Sequence, residues 1–306
     1  MLLVANGSVF TRNAQTPFIP NGAVAIDGDT IVEVGPECEL KAKYPDAEYV
    51  DAQGNLIMPG LINCHTHIYS GLARDLAIKG CNPTNFLENL EQQWWKIDDN
   101  LTLDGTKASA YATILDSIRD GVTTIFDHHA SFCEIPGSLF TIKDAAQELG
   151  MRSCLCYEVS DRRGQEKCDQ VITENAEFAQ WAAKERRDND NHMIAAMPNV
   201  GWCEAMTMLF ENNAKMASKY FDRKLGVLEP GAAADVIVMD YKPFTPLSEE
   251  NIDGHMLFGM MGKNCRTTII NGRVLYKDRE FVGIDEDKIN AWTMAESKKL
   301  WSTLND

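Results

Sequence analysis

Pro59-Gly60-Leu61-Ile62-Asn63-Cys64-His65-Thr66-His67 is the stretch on which the reading of this chain turns. Its apolar core after a Pro-Gly pair predicts a buried strand that ends in two histidines. Side chains alternate along a strand, so His65 and His67 point to the same side. Two imidazoles aimed together from the C-terminal end of a strand supply half of a metal site. Cys64 falls between these two positions, where packing is the plainer role.

Working outward, strands and helices alternate. Asn85 to Trp95 has Phe86, Leu87, Leu90 and Trp94 at helical spacing, which favours core packing for the Trp94-Trp95 pair over a pocket lid. A helix from Leu103 to Asp120 places Tyr111, Leu115 and Ile118 on one face and stops at Gly121. Strand Val122 to Phe126 then ends in Asp127-His128-His129. Ser138 is the expected cap of a helix that closes at Gly150, followed by strand Arg152 to Tyr157, helix 169–187, and a short strand over His192 to Met197. A helix from Cys203 to Phe221 completes this part. Four strand-helix alternations predict a parallel sheet of the (β/α) kind. Residues 57–222 are nevertheless short of the roughly 200 residues of the smallest complete eight-stranded barrel.

Both ends are rich in short strands and turn dipeptides. Asn6-Gly7, Asn21-Gly22, Asp27-Gly28 and Asn271-Gly272 read as hairpin signals. They predict a small β-sandwich built from both termini, residues 1–56 and 223–282, with the α/β part inserted between them. A C-terminal helix follows over 283–306. The Met256-Leu257-Phe258-Gly259-Met260-Met261 run reads equally as interdomain packing or as a lid or interface.

Composition narrows the partners. The 306 residues are 44% hydrophobic, with 29 Lys and Arg against 45 Asp and Glu, a formal net charge of −16. That acidity excludes nucleic acid and anionic membranes as natural partners. The nine cysteines form no spaced framework and predict reduced thiols in a cytoplasm. Met1 to Gly7 lacks the basic and apolar regions of a signal peptide, and no stretch approaches the roughly 20 apolar residues of a membrane span.

The Pro59–His67 run resembles the first barrel strand of the amidohydrolase superfamily, where a PGLI-like run precedes an HxH metal pair. Gly121-Val122-Thr123-Thr124 is similar to that family's second strand. Leu228-Glu229-Pro230-Gly231-Ala232-Ala233-Ala234-Asp235-Val236-Ile237-Val238 is similar to its return to the sandwich, and Asn271-Gly272-Arg273-Val274 to a late sandwich strand. These signals stand in family order across nearly the whole chain. They are most similar to the deaminase and chlorohydrolase branch, closest to SsnA-type aminohydrolases. The strand around Ile194 offers no lysine to bridge two metals, which favours the one-metal branch.

The resemblance implies an incomplete TIM-like (β/α) barrel in which His65 and His67 hold one divalent metal, zinc ahead of iron. It also implies hydrolysis at a carbon-nitrogen bond other than a peptide bond, a deamination or dechlorination of a small heterocycle. In that chemistry the metal activates water and an acidic residue moves the proton. No HxxE-like strand, later histidine strand or Gly-Thr-Asp-Gly-like turn follows. The remaining ligands and the acid/base residue therefore have no counterpart, and a seam falls near Met197-Pro198.

The other histidines are His128, His129, His192 and His255. His128 and His129 are read as lining the pocket or completing coordination, beside the plainer reading of strand-end histidines bonded to a loop. His192 reads as structural and His255 as exposed or interfacial. Three classes stay open: a metal-dependent hydrolase, a non-catalytic deletion variant or gene-model fragment, and a sandwich-mediated interaction protein. A four-strand remnant with uncovered parallel edges is expected to aggregate or form homo-oligomers.

Overall fold

The computed structural model describes residues 1–197, 213–242, 247–248 and 265–305. The chain is mixed α/β and divides into two compact units. One comprises residues 1–63, 117–124 and 204–284, and the other residues 64–116, 125–203 and 285–306.

The first unit contains a nine-stranded sheet drawn from both ends of the chain. Its N-terminal strands are β1 (Leu2–Phe10), β2 (Phe18–Asp27), β3 (Thr30–Pro36), β4 (Glu48–Asp51) and β5 (Leu56–Pro59). Its C-terminal strands are β10 (Val236–Met239), β11 (Cys265–Ile270), β12 (Arg273–Lys277) and β13 (Glu280–Phe281). The two sets join where β5 pairs antiparallel with β10, Leu56 opposite Met239 and Pro59 opposite Val236. Val4, Val24, Ile26, Ile57, Val236, Val238 and Ile269 are buried in one shared cluster, so residues far apart in sequence build one core. Helix α1 (Glu37–Lys43) buries Leu40 among Leu3, Ala5, Ala23 and Ala25.

Two of the four expected hairpin turns do not reverse the chain. Asn6-Gly7 and Asn21-Gly22 lie inside β1 and β2, with Asn6 and Asn21 at φ 59 and 49°. At Gly7 the register of β1 shifts. Before it, Leu2–Ala5 pair with β4; after it, Ser8 and Val9 pair with β5. A bulge at this point lets one strand serve two partners. Only glycine fits, because a Cβ on Gly7 would lie 2.3 Å from the Asn55 carbonyl oxygen. Asp27-Gly28 and Asn271-Gly272 do form the turns between β2 and β3 and between β11 and β12.

The second sheet runs β6 (Leu61–Thr66), β7 (Val122–His129), β8 (Arg152–Tyr157) and β9 (Ile194–Ala196), in that order. Helices α4 (Leu103–Arg119), α5 (Ser138–Leu149) and α6 (Gln165–Asn189) lie between successive strands, and β8 pairs parallel with β9. Tyr111, Leu115 and Ile118 of α4 are buried, as the periodicity predicts. Among the described residues this sheet has β6 and β9 at its edges. The Leu61 amide bonds to Gly121, so alternation turns the Ile62 carbonyl away from β7; it accepts from Asn213 Nδ2 of α7 (Asn213–Phe221) at 2.9 Å. Only this part of the expected Cys203–Phe221 helix falls within the described residues.

Elsewhere tertiary context overrides local pattern. Phe86 and Leu87 are 68% and 55% exposed, and the expected 85–95 helix is divided into α2 (Phe86–Asn89), a π turn (Leu90–Trp94) and α3 (Trp95–Asp98). Ser138 does not cap α5; its hydroxyl donates to the Ile135 carbonyl, and Glu174 accepts from the Gly137 and Leu139 amides at 2.8 and 2.9 Å. The C-terminal helix (Glu286–Asn305) buries Leu300 with Leu72, Ile97, Leu101 and Ala108, and Trp301 Nε1 donates to the Leu72 carbonyl at 2.7 Å. No helix among the described residues is long and apolar enough to cross a membrane.

Gly60 is the contact on which the start of β6 depends, since a Cβ there would stand 2.2 Å from the buried Thr123 side chain of β7. Overpacking of this kind costs about 1–3 kcal/mol. Gly60→Ala is therefore expected to lower the midpoint of urea unfolding at an unchanged slope; an unchanged midpoint would contradict this packing.

Candidate metal centre

β6 brings His65 and His67 together as alternation requires. Their rings stand edge to face with centroids 4.8 Å apart. Two imidazoles on one tetrahedral metal, each with its nitrogen about 2.0–2.1 Å from the ion, place their centroids about 5 Å apart. The strand itself ends at Thr66, and His67 occupies the N-cap position of a 3-10 turn over Ile68–Ala73.

A hydrogen bond defines the chemistry of His67. Its Nδ1 lies 3.0 Å from the His128 backbone oxygen at the end of β7. A carbonyl can only accept, so Nδ1 carries the proton, and in the neutral ring Nε2 keeps its lone pair. Ligating histidines are commonly held this way, with the second ring nitrogen donating to a carbonyl or carboxylate.

His128 itself stands against His67, ring centroids 5.7 Å apart. Burial, helped by the charges His67 and His65 would carry, pushes His128 down to about 4. Burial also lowers His65, with His67 adding to the effect. These rings are therefore held in the neutral form that binds metals. His129 turns to the opposite side, as alternation demands. It is fully buried, edge-on to Tyr157 at 5.0 Å and Tyr69 at 6.2 Å, and its ring nitrogens meet no hydrogen-bond partner among the described residues. Burial pushes its pKa down to about 3. His129 is thus fully buried whereas His128 is half-buried.

The sequence reading gave no role to Asp127, yet this residue joins the two strand ends. It is fully buried, its Oδ1 accepts from the Ile68 amide at 2.6 Å, and burial raises its pKa to about 8 against the pull of that amide. The same turn is pinned at two further points. Ser70 donates to the His67 carbonyl from both its amide, at 3.0 Å, and its hydroxyl, at 2.7 Å; Ser109 Oγ donates to the Ile68 carbonyl. The one signal in the sequence was position: Asp127 immediately precedes the residue that alternation places beside His67.

A second buried carboxyl was also unforeseen. Asp98 Oδ2 pairs with Arg162 Nη2 at 2.5 Å, and the guanidinium lies over Phe132, 4.1 Å from its centroid. Burial moves Asp98 to about 7 even with Arg162 opposing it. Cys64 is held as an inert thiol, pushed up to about 12 by burial. Trp94 packs against the Leu72 and Leu300 cluster and stands edge-on to Tyr69. His192 Nε2 pairs with Asp190 at 2.8 Å just before β9. His255 and the Met256–Met261 run lie outside the described residues. Among the described residues, no group of three or more His, Cys, Asp or Glu side chains could hold one ion.

Comparison with known proteins places this geometry. Residues 56–202 match the model of the amidohydrolase family, and residues 22–47 match that of an imidazolonepropionase-like composite domain of bacteria. A 5'-deoxyadenosine deaminase of Methanococcoides burtonii is 29% identical over 188 residues, 60% of this chain and 39% of the relative. A 5-methylthioadenosine/S-adenosylhomocysteine deaminase of Syntrophobacter fumaroxidans is 32% identical over 156 residues, 50% of this chain and 32% of the relative. The chain thus spans about a third to two fifths of these curated relatives. In fold it is similar to an adenosine deaminase from Xanthomonas campestris solved with zinc (TM-score 0.72, 14% identity, 98% of each chain). It is equally similar to a triazine hydrolase from Arthrobacter aurescens (TM-score 0.71, 17% identity, 97% of this chain and 99% of that one). From the strand that leads into His65 and His67 to the residues beyond β9, the chain matches the amidohydrolase family.

Proposed function

We propose that this chain is the metal-binding part of an amidohydrolase that hydrolyses a carbon-nitrogen bond on a small heterocycle. The observation that supports it best is the His67 Nδ1 to His128 carbonyl bond, which leaves Nε2 of a ring packed against His65 for one divalent metal. Zinc suits two imidazoles, with iron second. When bound, such an ion supplies Lewis acidity that makes water a nucleophile near neutral pH. The protein's own part is to hold His67 in one tautomer, to keep His65 and His128 neutral, and to line the approach with His128. The amino group of an adenosine-like purine is the leaving group we favour, since the matched relatives are named as deaminases of 5'-deoxyadenosine and S-adenosylhomocysteine; triazine-like rings come second.

The four-stranded sheet is read as part of a TIM-like barrel over residues 57–222, set in a β-sandwich of residues 1–56 and 223–282. With no third ligand or acid/base residue assigned among the described residues, the chain on its own is a weak metal binder with impaired turnover. A non-catalytic deletion product is the second reading, favoured by the same observation. The described cysteines are all free, which fits a reducing, cytoplasmic setting.

Three measurements test this. After zinc loading and dialysis, elemental analysis is expected to find less than one zinc per chain, and none in His65→Ala or His67→Ala. Zinc held one to one through chelator treatment would overturn the incomplete site, and binding unchanged in both variants would overturn the ligand assignment. Ammonia release from 5'-deoxyadenosine is expected to be undetectable with this chain; steady release would remove the claim of impairment. Light scattering is expected to give a mass above 34.2 kDa, from pairing at uncovered sheet edges, and a monodisperse monomer would contradict it.

A further inference from the structure

The peptide that joins His67 to Ile68 is held from outside its own segment. Ile68 begins the 3-10 turn, so its amide is among the first N–H groups, which have no partner within the turn. The residue at the N-cap ordinarily supplies the missing acceptor from its side chain. Here that residue is His67, which makes no side-chain cap, and its Nδ1 is committed to the His128 carbonyl. A histidine whose other nitrogen must face a metal has nothing left to offer the amide.

Asp127 fills that role from the neighbouring strand. Its carboxyl is fully buried and accepts from Ile68 at 2.6 Å. Asp127 and His128 are consecutive, so one backbone step of β7 delivers both constraints. The His128 carbonyl fixes the ring of His67, and the Asp127 side chain fixes the peptide that follows it. Ser70 and Ser109 complete the hold on the adjoining carbonyls.

We propose that Asp127 is a positioning residue for metal binding. It caps the turn in place of the His67 side chain and so determines where Nε2 points. The inference rests on the reading of His65 and His67 as ligands.

The test compares wild-type chain, Asp127→Asn, which retains an Oδ1 acceptor, and Asp127→Ala, which does not. Two readouts are taken: zinc affinity by competition with a chelating dye, and the His67 tautomer in metal-free chain by nitrogen-15 NMR, assigned with His67→Ala. Wild type and Asp127→Asn are expected to share the Nδ1–H tautomer and similar affinity. Asp127→Ala is expected to mix tautomers and to bind zinc about 10- to 100-fold more weakly, with its circular dichroism retained. Wild-type affinity and tautomer in Asp127→Ala would overturn the proposal, as would Asp127→Asn losing either. Should Asp127→Ala not fold, Asp127→Asn decides on those same terms. If wild type binds no zinc, the ligand assignment falls, and the tautomers of the three chains still decide the positioning role.

Discussion

Where β6 stops at Thr66, the amide of the fully buried Ile68 needs an acceptor, and it finds one in Asp127 Oδ1. A buried amide left unmet costs about 1–3 kcal/mol, a sizeable fraction of the roughly 5–15 kcal/mol by which domains remain folded. The same solution recurs in this chain. Glu174 receives the amides at the start of α5, and Glu134 receives the Leu103 amide at the start of α4 at 2.5 Å. These three segments begin on carboxyls from elsewhere in the chain, whereas Asn85 and Asp285 cap α2 and the C-terminal helix locally. For the segment after His67 this means that local order and ring orientation are one event.

Burial also sets the charge of this region. Asp127 is raised to about 8 while His128 is lowered to about 4 and His129 to about 3, so the end of β7 is uncharged near neutral pH. A neutral imidazole cluster admits a cation without first losing protons, and the metal then brings the positive charge. The Asp98–Arg162 pair keeps its charges to itself, with Arg162 also bonded to Glu158. On the proposed reading, chemistry at the pair depends on what an ion contributes, because the surrounding side chains contribute shape and tautomer.

What could be read from sequence follows the same division. Alternation placed His65 and His67 together, because period two is a covalent property of an extended chain. Helices with apolar residues at helical spacing, such as Leu103–Arg119 with Tyr111, Leu115 and Ile118 buried, were legible for a similar reason. Asn6-Gly7 was not, since a left-handed Asn before Gly serves a bulge as well as a hairpin. Which occurs depends on whether a second strand waits alongside, here β5. Ser138 failed as a cap because Glu174, far along the chain, outcompeted it. Asp127 escaped notice for the same reason: it caps a turn 59 residues away, beyond the reach of local capping patterns.

The relation to longer relatives can be argued from these contacts. The nine-stranded sheet is joined through β5 and β10, using strands from the two ends of the chain. The C-terminal helix finishes the cluster around Leu72, directly after the histidine pair. Neither includes a strand of the β6–β9 sheet. A parallel sheet of consecutive strand-helix units resembles a stack, and losing units from one side leaves the remaining ladder intact. Sites at the ends of such strands behave differently, because they draw single residues from several strands. On the proposed reading, the residues that order His67 all lie within β6, β7 and the turn that follows β6, whereas ligands drawn from other strands would be kept or lost with those strands. On this reading, orientation of the metal pair is a local property of two strands, and catalysis is a property of the whole ring.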